Sequence, residues 1–594
     1  MLSRIGRTAP TRTLLAVSAA YAAAGLLLVP PTLGLGWDEI VYTSQYGSHA
    51  PAAFFSAPRS RGIPFLTAPV TALTDSTTVL RIVLALAAAV ALHLGFRPWL
   101  RLAPRPSAVP LAAALYGSLW VSLFYAGSAM PNHYTAMAAT AATGYFLLAV
   151  RRTERSVVPR LSASPRPDPT DPARTDPAPA GHPPAGHPLA GHPPAGHAPG
   201  KPSHPVPSAA QPFPTPGAAP IAAPIAATRP ASPLATSTPA PTTAAEPTPL
   251  ATRPGPRRSA ALWGCATALT IAGLMRPSDA VWIALPLLAA ALLVPAWRRP
   301  ARIPPVAPIA AVLGGLAAGV LPWVVEAELS FGGLRERLHQ AQQIQGGTRL
   351  TFTLPEVLAS ADGPLLCRPC SAPLTALVSP AALWWCVLLA CAGLGTVAAH
   401  RSGRPATAWL PLAVAASTAA TYVFLIDYSA PRFLLPGYAL LALPAAAGML
   451  SLLPAARPRP PLRTALLVLL LLGYAGVQVA VLHRTVRVQA EARNDWAQLA
   501  TALHRAGVSP PCVVTGTEAI PVAYYARCRA LEVQGNNGNT TEAALLAESH
   551  RRPTAMVLLG YPPPPWARDW PATALHTGYR KGWQMLLPPW TPRH

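Results

Sequence analysis

Gly36-Trp37-Asp38-Glu39-Ile40-Val41-Tyr42 follows the first apolar segment of the chain, residues 14–29. Two adjacent carboxylates, Asp38 and Glu39, therefore stand where a hydrophobic helix is expected to leave a bilayer. Such a pair can accept a proton, hold a cation, or be solvated beside an interfacial tryptophan. On this stretch alone a solvated loop is the favoured interpretation, and the rest of the chain reverses that preference.

The composition is typical of a polytopic membrane protein. Of the 594 residues, 51% are hydrophobic and 11% are charged, whereas soluble proteins carry about 25% charged residues. The mean hydropathy is +0.31. The formal net charge is +24, and arginine supplies the excess because only Lys201 and Lys581 are lysines. These arginines fall in short clusters between apolar runs, a positive-inside pattern that argues against nucleic acid as a partner.

Eleven apolar runs have the length of membrane spans. With the N-terminus inside, the outer side receives the loops 31–78 and 326–375, the turns near 128–132, 276–279 and 427–432, and everything after 483. The inner loops then carry the arginine clusters, at 97–105, 151–155, 257–258, 298–302, 401–404 and 457–463. The first run also resembles a secretory signal; we predict an uncleaved helix, and either interpretation leaves Asp38 outside. The runs are 13–30, 79–96, 107–127, 133–150, 259–275, 280–296, 305–325, 376–398, 406–426, 433–453 and 464–482.

Four domains are predicted along the chain. Residues 1–153 hold the first four spans with the outer loop that carries Asp38, and residues 257–483 hold the other seven. Residues 154–256 are rich in Pro, Ala, Ser, Thr and Gly and contain four tandem pentapeptides at 180–199. Such a composition predicts a disordered inner linker. Its periodic histidines could bind metal weakly, although an inert linker is the preferred interpretation.

Residues 484–594 predict a small extracytoplasmic α/β domain. An amphipathic helix over 486–506 carries Ala492, Trp496, Leu499 and Leu503 near helical spacing. A strand at 512–516, a helix at 519–527 and a strand at 555–559 follow.

The seven cysteines divide by their surroundings. Three lie in apolar runs, where they are interpreted as packing residues. The other four lie in polar segments predicted to face an oxidising exterior, which favours disulfides. One Cys-x-x-Cys without a second ligand pair is weak support for zinc. The candidate disulfides are Cys512–Cys528 and Cys367–Cys370.

Four polar clusters are predicted to meet at the outer face. Arginines at helix mouths there suggest a lipid-linked phosphate, because a guanidinium offers paired donors to phosphate oxygens. The alternatives are an Arg276–Asp279 salt bridge or headgroup snorkelling. His133 is more readily interpreted as a hydrogen-bonded interfacial residue, and Glu326 and Glu328 as solvated. The clusters are Asp38–Glu39 with Arg59 and Arg61, 131–134 with His133, 275–279 with Arg276 and Asp279, and 427–436 with Arg432.

These motifs resemble the GT-C glycosyltransferases. The resemblance lies in the acidic first outer loop, the Arg-Pro-x-Asp turn at Arg276–Asp279, and the Arg-Phe-Leu-Leu-Pro helix entry at Arg432. It is strongest with the protein O-mannosyltransferase and aminoarabinose-transferase branch in its actinobacterial form. It covers about 1–150 and 260–480, and the outer C-terminal domain is also similar to those that follow such membrane modules. The Pro-rich insertion departs from the family pattern.

The resemblance implies an activity and roles for residues. GT-C enzymes transfer a sugar from a polyprenyl phosphate to a glycan, lipid or protein acceptor outside the membrane, usually with inversion. Asp38 would be the general base, with Glu39 as the alternative, and Arg276 and Arg432 would stabilise the phosphate leaving group. Branches differ in whether a divalent cation assists, and this sequence shows no decisive ligand set. Together with the apolar runs and the arginine clusters, the predicted fold is a mainly α bundle of about eleven transmembrane helices in the plasma membrane, N-terminus inside and C-terminus outside. A small extracytoplasmic α/β domain and a disordered cytoplasmic linker complete it.

Two other classes of function remain. A transporter or flippase of lipid-linked glycans would predict charges within the helices and paired, interrupted spans in two halves. Few intramembrane charges and no clear internal repeat occur in this sequence. A non-catalytic scaffold with an outer binding domain would be indifferent to replacement of Asp38 by asparagine.

Overall fold

The computed structural model describes residues 2–150, 256–294, 306–347, 350–363, 365–366, 380–426, 428–452 and 461–590. The predicted linker, apart from its last residue, lies outside these ranges. Asp427 and the candidate Cys367–Cys370 disulfide also lie outside them. The described part of the chain is mainly helical, with a small sheet near the C-terminus.

The helices between the N-terminus and the sheet include both long apolar helices and short connecting ones. They are α1 (Leu2–Leu28), α2 (Trp37–Thr43), α3 (Gly62–Thr71), α4 (Thr77–Phe96), α5 (Ala108–Gly117), α6 (Trp120–Ala126), α7 (Pro131–Val150), α8 (Pro256–Met275), α9 (Pro277–Leu293), α10 (Val306–Ser330), α11 (Leu334–Ile344), α12 (Leu354–Ala359), α13 (Pro380–Arg401), α14 (Ala406–Phe424), α15 (Leu435–Ser451) and α16 (Pro461–Arg505). Short 3-10 turns cover Arg97–Arg101, Ser360–Asp362 and Pro431–Leu434.

Within the described ranges, six helices are long and apolar enough to cross a bilayer. A seventh is added if α5 and α6, which bend by 77° at their junction, form one broken span. Each of the eleven predicted spans falls on a helix or on this bent pair. Eleven crossings, the N-terminus inside and the C-terminus outside stay predictions.

Small residues let the helices of the bundle approach closely. A Cβ on Gly319 of α10 would lie 2.5 Å from the carbonyl oxygen of Thr270 in α8, and one on Gly315 would lie 2.4 Å from that of Ala266. Only glycine permits these backbone contacts, which is a common way to pack helices in a bilayer. α7 is buried along nearly its whole length between α4, α8 and α15.

The C-terminal part contains a mixed five-stranded sheet. Its elements are β1 (Val513–Gly516), α17 (Ala519–Ala526), β2 (Arg529–Ala530), α18 (Glu542–Ser549), β3 (Thr554–Leu559), β4 (Ala572–Leu575) and β5 (Trp583–Leu586). The strand order is β2-β1-β3-β5-β4. β1 pairs in parallel with β2 and β3, while β5 pairs antiparallel with β3 and β4. Cys512 and Cys528 form a disulfide that joins the start of β1 to the start of β2.

One continuous helix of 45 residues, α16, connects the apolar bundle to this sheet. The sequence predicts a span and a separate amphipathic helix here, but nothing between them breaks the helical backbone. Trp496, Leu499 and Leu503 are buried against Val514 of β1 and Val522 of α17. The last turns of α16 therefore form part of the core of the C-terminal domain.

Candidate functional site

Proline fixes the backbone positions of two arginines at the predicted outer face. The residue before a proline is disfavoured in the α conformation, and Arg276 is accordingly extended (φ −150°, ψ 95°) before Pro277 begins α9. Ala430 is extended in the same way before Pro431, and the 3-10 turn that follows carries Arg432. Each arginine thus lies at a break between two helical segments.

The loop that carries Arg59 is held against the end of α8, next to Arg276. The Ser60 hydroxyl donates to the Leu274 carbonyl over 2.6 Å. A Cβ on Gly62 would lie 2.5 Å from that same oxygen, so the close approach requires glycine. The sequence Arg-Ser-Arg-Gly therefore supplies two arginines for interactions and two small residues for the backbone contact.

Asp38, in the first turn of α2, lies between two of these arginines. Its Oδ1 is 2.9 Å from Nη2 of Arg59, and its Oδ2 is 3.1 Å from Nη2 of Arg432. Arg432 also donates through Nη1 to the Tyr125 hydroxyl, over 3.3 Å. The Asp38 side chain keeps 30% of its exposure, whereas both arginines are largely buried. A carboxylate accessible to solvent is thus in direct contact with two guanidinium groups.

Arg276 belongs to the same group of charges. Its Nε is 3.1 Å from Oδ2 of Asp279, whose other oxygen accepts a hydrogen bond from Tyr422. The guanidinium carbons of Arg276 and Arg432 each lie 5.2 Å from the centre of the Phe433 ring, so at most twice that distance separates them. The sequence-predicted phosphate ligands Arg59, Arg276 and Arg432 are therefore together around Asp38. The predicted alternative, an Arg276–Asp279 salt bridge, is also present.

Electrostatics link these residues. Burial alone would raise the pKa of Asp38, but the positive charges of Arg59 and Arg432 outweigh it and hold that pKa below its usual value. Arg276 acts in the same direction. Burial raises the pKa of the Tyr42 hydroxyl, which interacts with the charges of all four groups. The carboxylate is therefore ionised and the phenol neutral at physiological pH.

Glu39, the neighbouring carboxylate, has a different environment. Its side chain is 4% exposed, and it accepts hydrogen bonds from the backbone N–H groups of Gly36 and Ala129 over 2.8 and 2.9 Å. Arg81 donates from Nη1 and Nη2 over 3.3 and 3.1 Å, and Arg493 donates over 3.3 Å. Burial opposes ionisation, but the two arginines hold the pKa of Glu39 below its usual value. Every partner of Glu39 is a hydrogen-bond donor.

The Glu39 network joins three parts of the chain. Arg81 comes from α4 and also donates to the carbonyl of Leu33 in the first loop. Arg493 comes from α16, near the C-terminal sheet. Tyr525 of α17 approaches so closely that a Cβ on Gly34 would lie 2.4 Å from its hydroxyl. Residues from the C-terminal part thus hold the loop that carries Asp38.

Arg61 belongs to a second network, centred on Glu326. Arg61 donates through Nε to Oε1 of Glu326 over 2.7 Å, and Arg337 donates to Oε2 over 2.9 Å. Arg337 is fully buried and also donates to the backbone carbonyls of Ala57 and Arg59. The expectation that Glu326 is solvated is wrong, because two arginines hold it. This network supports the loop that presents Arg59, and we leave Arg61 out of the phosphate site.

His133 lies within the helix bundle. It is fully buried, with Nδ1 3.0 Å from the Tyr116 hydroxyl and 3.3 Å from the Tyr21 hydroxyl. Its Nε2 is 2.9 Å from the Ala88 carbonyl. Both ring nitrogens therefore have partners in the protein, and we leave His133 out of the phosphate site as well.

Three buried arginines that contribute to these networks were not predicted: Arg81, Arg337 and Arg493. Arg81 stands inside an apolar run, and a charge within a predicted span is the signal that could have identified it. No comparable signal marks the other two. Among the described residues, no group of three or more His, Cys, Asp or Glu side chains is arranged to hold a metal ion. The positive charge at Asp38 comes from arginines.

Comparisons with known proteins bear on the fold. Neither a scan against protein-family models nor a search of curated proteins finds a match. Among solved structures, the chain is similar to ArnT from Cupriavidus metallidurans bound to undecaprenyl phosphate, with 11% identity, coverage of 97% of this chain and 98% of that one, and a TM-score of 0.54. The apo state of ArnT gives 10% identity, coverage of 99% and 100%, and a TM-score of 0.55.

The archaeal oligosaccharyltransferase AglB from Archaeoglobus fulgidus, in complex with an inhibitory peptide and a dolichol-phosphate, is a more distant match. Its TM-score is 0.46 at 11% identity, over 92% of this chain and 69% of that one. Both proteins are GT-C membrane glycosyltransferases. The similarity to ArnT extends over nearly the whole of both chains, and the chain therefore has the GT-C fold.

Proposed function

We propose that this protein is an integral-membrane glycosyltransferase. It transfers a hexosyl or pentosyl group from a polyprenyl-phosphate donor to a glycan, lipid or protein acceptor on the extracytoplasmic face of the plasma membrane. The observation that carries the proposal is the contact of the Asp38 carboxylate with Arg59 and Arg432, at 2.9 and 3.1 Å, in a position open to solvent. A base and cations for a phosphate leaving group are thus within reach of one substrate.

The arginines bind the donor phosphate. Guanidinium groups match phosphate oxygens with paired N–H donors. Asp38 contacts Nη2 of Arg59 and Nη2 of Arg432, so an incoming phosphate competes with the carboxylate for these donors. Arg276 is fixed by Asp279 through Nε. When phosphate takes up the positive charge, the pKa of Asp38 rises toward its usual value and the carboxylate becomes a better base.

The reaction is a single displacement at the anomeric carbon. The acceptor hydroxyl oxygen forms a bond to that carbon while the bond from carbon to the phosphate oxygen breaks. Asp38 takes the hydroxyl proton, and the electron pair of the broken bond leaves with the polyprenyl phosphate. Arg59, Arg276 and Arg432 stabilise the charge that grows on this leaving group, a contribution of about 3–4 kcal/mol for each well-placed donor. Attack from the face opposite the phosphate inverts the anomeric centre.

Asp38, and not Glu39, is assigned the role of base. Glu39 is 4% exposed, and all its partners donate hydrogen bonds to it, so an acceptor hydroxyl has no room to approach. Its role is to fix α2 and thereby the position of Asp38. Asp38 retains solvent access on the same short helix.

The GT-C fold supports a lipid-linked donor. The ArnT structure with the same fold contains undecaprenyl phosphate. The apolar helices of this chain would place the donor and the acceptor at a membrane surface, and membrane lipids would surround the bundle. A divalent cation is not required by the proposal, because three guanidinium groups supply the positive charge.

Transfer assays on the purified full-length protein in lipid nanodiscs test this function. The protein is incubated with a panel of polyprenyl-phosphate sugars, and release of free polyprenyl phosphate is measured with the wild type and with Asp38→Asn. Removal of a general base is expected to lower turnover by about 10²–10⁴-fold. Asp569→Asn is the matched control, because Asp569 is an exposed aspartate in the C-terminal part.

Three outcomes are informative. Turnover lost in Asp38→Asn and kept in Asp569→Asn supports the proposal. In a second assay on the same proteins in sealed proteoliposomes, movement of labelled lipid across the bilayer without release of polyprenyl phosphate would identify a flippase instead. Equal behaviour of all three proteins in both assays would point to a scaffold and refute catalysis at Asp38.

A further inference from the structure

A cavity lies at the opposite end of α4 from the Glu39 network that adjoins Asp38. It has a volume of about 180 Å³ and lies between the 3-10 turn after α4 and helices α5, α13, α14 and α15. α4 begins beside Glu39, which Arg81 contacts, and ends near Trp99, which lines the cavity. At 1.5 Å per residue, about 27 Å of helix separates these two positions. The cavity is therefore distinct from the proposed active site.

The lining of this cavity changes from apolar to polar toward solvent. Trp99, Val109 and Leu443 are buried and apolar, whereas Arg105 and Ser451 are exposed. The volume corresponds to roughly six water-sized volumes at about 30 Å³ each. It accommodates a small polar headgroup or a short acyl segment. The lining thus combines an apolar interior with a polar rim, which matches the acyl chain and the headgroup of a lipid molecule.

The rim is strongly basic. Arg105 lines the cavity and donates to the Leu450 carbonyl over 2.6 Å, and Arg404 donates to the carbonyls of Leu102 and Ala103 over 3.4 Å. Both guanidinium groups are exposed and are directed across neighbouring helix ends. Arg97, Arg101 and Arg401 are exposed nearby in the chain, and the segments 97–109, 395–408 and 443–451 contain no Asp or Glu. These clusters are the ones that the sequence predicts for the cytoplasmic side.

We propose that this cavity binds an anionic phospholipid of the cytoplasmic leaflet. The phosphate interacts with Arg105 and Arg404, and the glycerol with the start of one acyl chain lies against Trp99, Val109 and Leu443. Anionic lipids are concentrated in that leaflet, and basic pockets between membrane helices recognise their headgroups. The charge of the rim and the apolar interior together select a lipid over a free anion. The inference is independent of the chemistry at Asp38.

Native mass spectrometry of the detergent-purified full-length chain tests the proposal. The protein is titrated with phosphatidylglycerol or phosphatidylcholine, and the bound fraction is compared between wild type, R105Q/R404Q and R97Q/R101Q. The last variant is the matched control, because it removes the same charge from the same face while neither of its arginines lines the cavity. Arg105, in contrast, lines the cavity, and Arg404 donates to the carbonyl of Ala103, a lining residue. We expect R105Q/R404Q to lower phosphatidylglycerol binding at least tenfold and the control to lower it less than threefold.

Further measurements keep the test decisive if a variant fails to fold. Wild-type protein should retain phosphatidylglycerol at least tenfold better than phosphatidylcholine, and Ala398→Leu, which fills the cavity without changing charge, should weaken that retention. Equal retention of the two lipids, or equal losses in both double variants, would show diffuse surface attraction and overturn the proposal. Displacement of the lipid by millimolar inorganic phosphate would also overturn it, since the site would then accept a free anion.

Discussion

Replacement of Glu39 by glutamine should destabilise the protein far more than its conservative size suggests. Five donor groups converge on the Glu39 carboxylate: two backbone N–H groups, two nitrogens of Arg81 and one of Arg493. Glutamine replaces one acceptor oxygen by an NH₂ donor. That donor meets only other donors, and the two guanidinium groups lose their counter-charge.

The magnitude follows from burial. The side chains of Glu39, Arg81 and Arg493 are 4%, 3% and 5% exposed, so water cannot replace the lost carboxylate. Breaking a buried ion pair by removing one partner costs about 3–5 kcal/mol. The pair Arg487–Glu491 on α16 is a matched control, since its side chains are 76% and 43% exposed. An exposed pair at this helical spacing contributes about 0.3–0.5 kcal/mol. The free energy of unfolding lost in Glu39→Gln should therefore be about tenfold larger than that lost in Glu491→Gln.

Thermal unfolding of the detergent-purified variants, followed by tryptophan emission, measures both losses. Because the pKa of Glu39 is lowered in the folded state, the stability from its charge is present above the ordinary glutamate pKa of about 4.3 and is lost as pH falls through the folded-state value. Glu39→Gln should therefore lose much of the wild-type dependence on acidic pH. A destabilisation no larger than that of Glu491→Gln would refute the structural role of Glu39. A stable Glu39→Gln protein without turnover would make Glu39 the base instead.

Three further predictions test separate parts of the structure. Burial would raise the pKa of Asp38, but the charges of Arg59 and Arg432 outweigh it and lower that pKa, and bound phosphate offsets their charge. In pH–rate profiles the acid limb of kcat should therefore lie at higher pH than the acid limb of kcat/KM, whereas coincident limbs would contradict competition between phosphate and Asp38 for the arginines. Arg337→Gln should raise KM for the donor in transfer assays and lower the unfolding midpoint, because it releases the loop of Arg59, whereas a variant equal to wild type in both would exclude this support. Reduction of the Cys512–Cys528 disulfide should destabilise the C-terminal domain by about 3 kcal/mol. Proteolysis of the domain with and without reductant measures this loss, and unchanged cleavage would contradict it.

Much of the candidate site could be predicted because proline and charge mark it locally. Arg432 lies 394 positions from Asp38, yet both stand at ends of apolar runs, and positive-inside counting assigns both ends to one face. The strands 512–516 and 555–559 were predictable from their apolar runs between turn residues. The helices fall on the predicted spans for the same reason: hydrophobic length is a strong signal.

Long-range pairing was not predictable in the same way. Arg81 stands in an apolar run, and nothing local connects it with Glu39, which lies in another segment. The pair Glu326–Arg337 falls in the predicted outer loop 326–375, where Glu326 was expected to be solvated and nothing local connects it with Arg337. The bend between α5 and α6 lies inside one continuous apolar run. Ser118 and Leu119, at the bend, gave little sign of it in the sequence. Tertiary contacts determine these features, and a single sequence does not record them.

Binding of a short-chain polyprenyl phosphate tests most directly that Asp38 and the arginines form one phosphate site. Affinities are measured by calorimetry for wild type, Asp38→Asn and Arg432→Gln. The account predicts that Asp38→Asn binds as tightly as wild type or more tightly, because a competing carboxylate is removed, while Arg432→Gln binds at least tenfold more weakly. Weaker binding by Asp38→Asn together with unchanged binding by Arg432→Gln would contradict it.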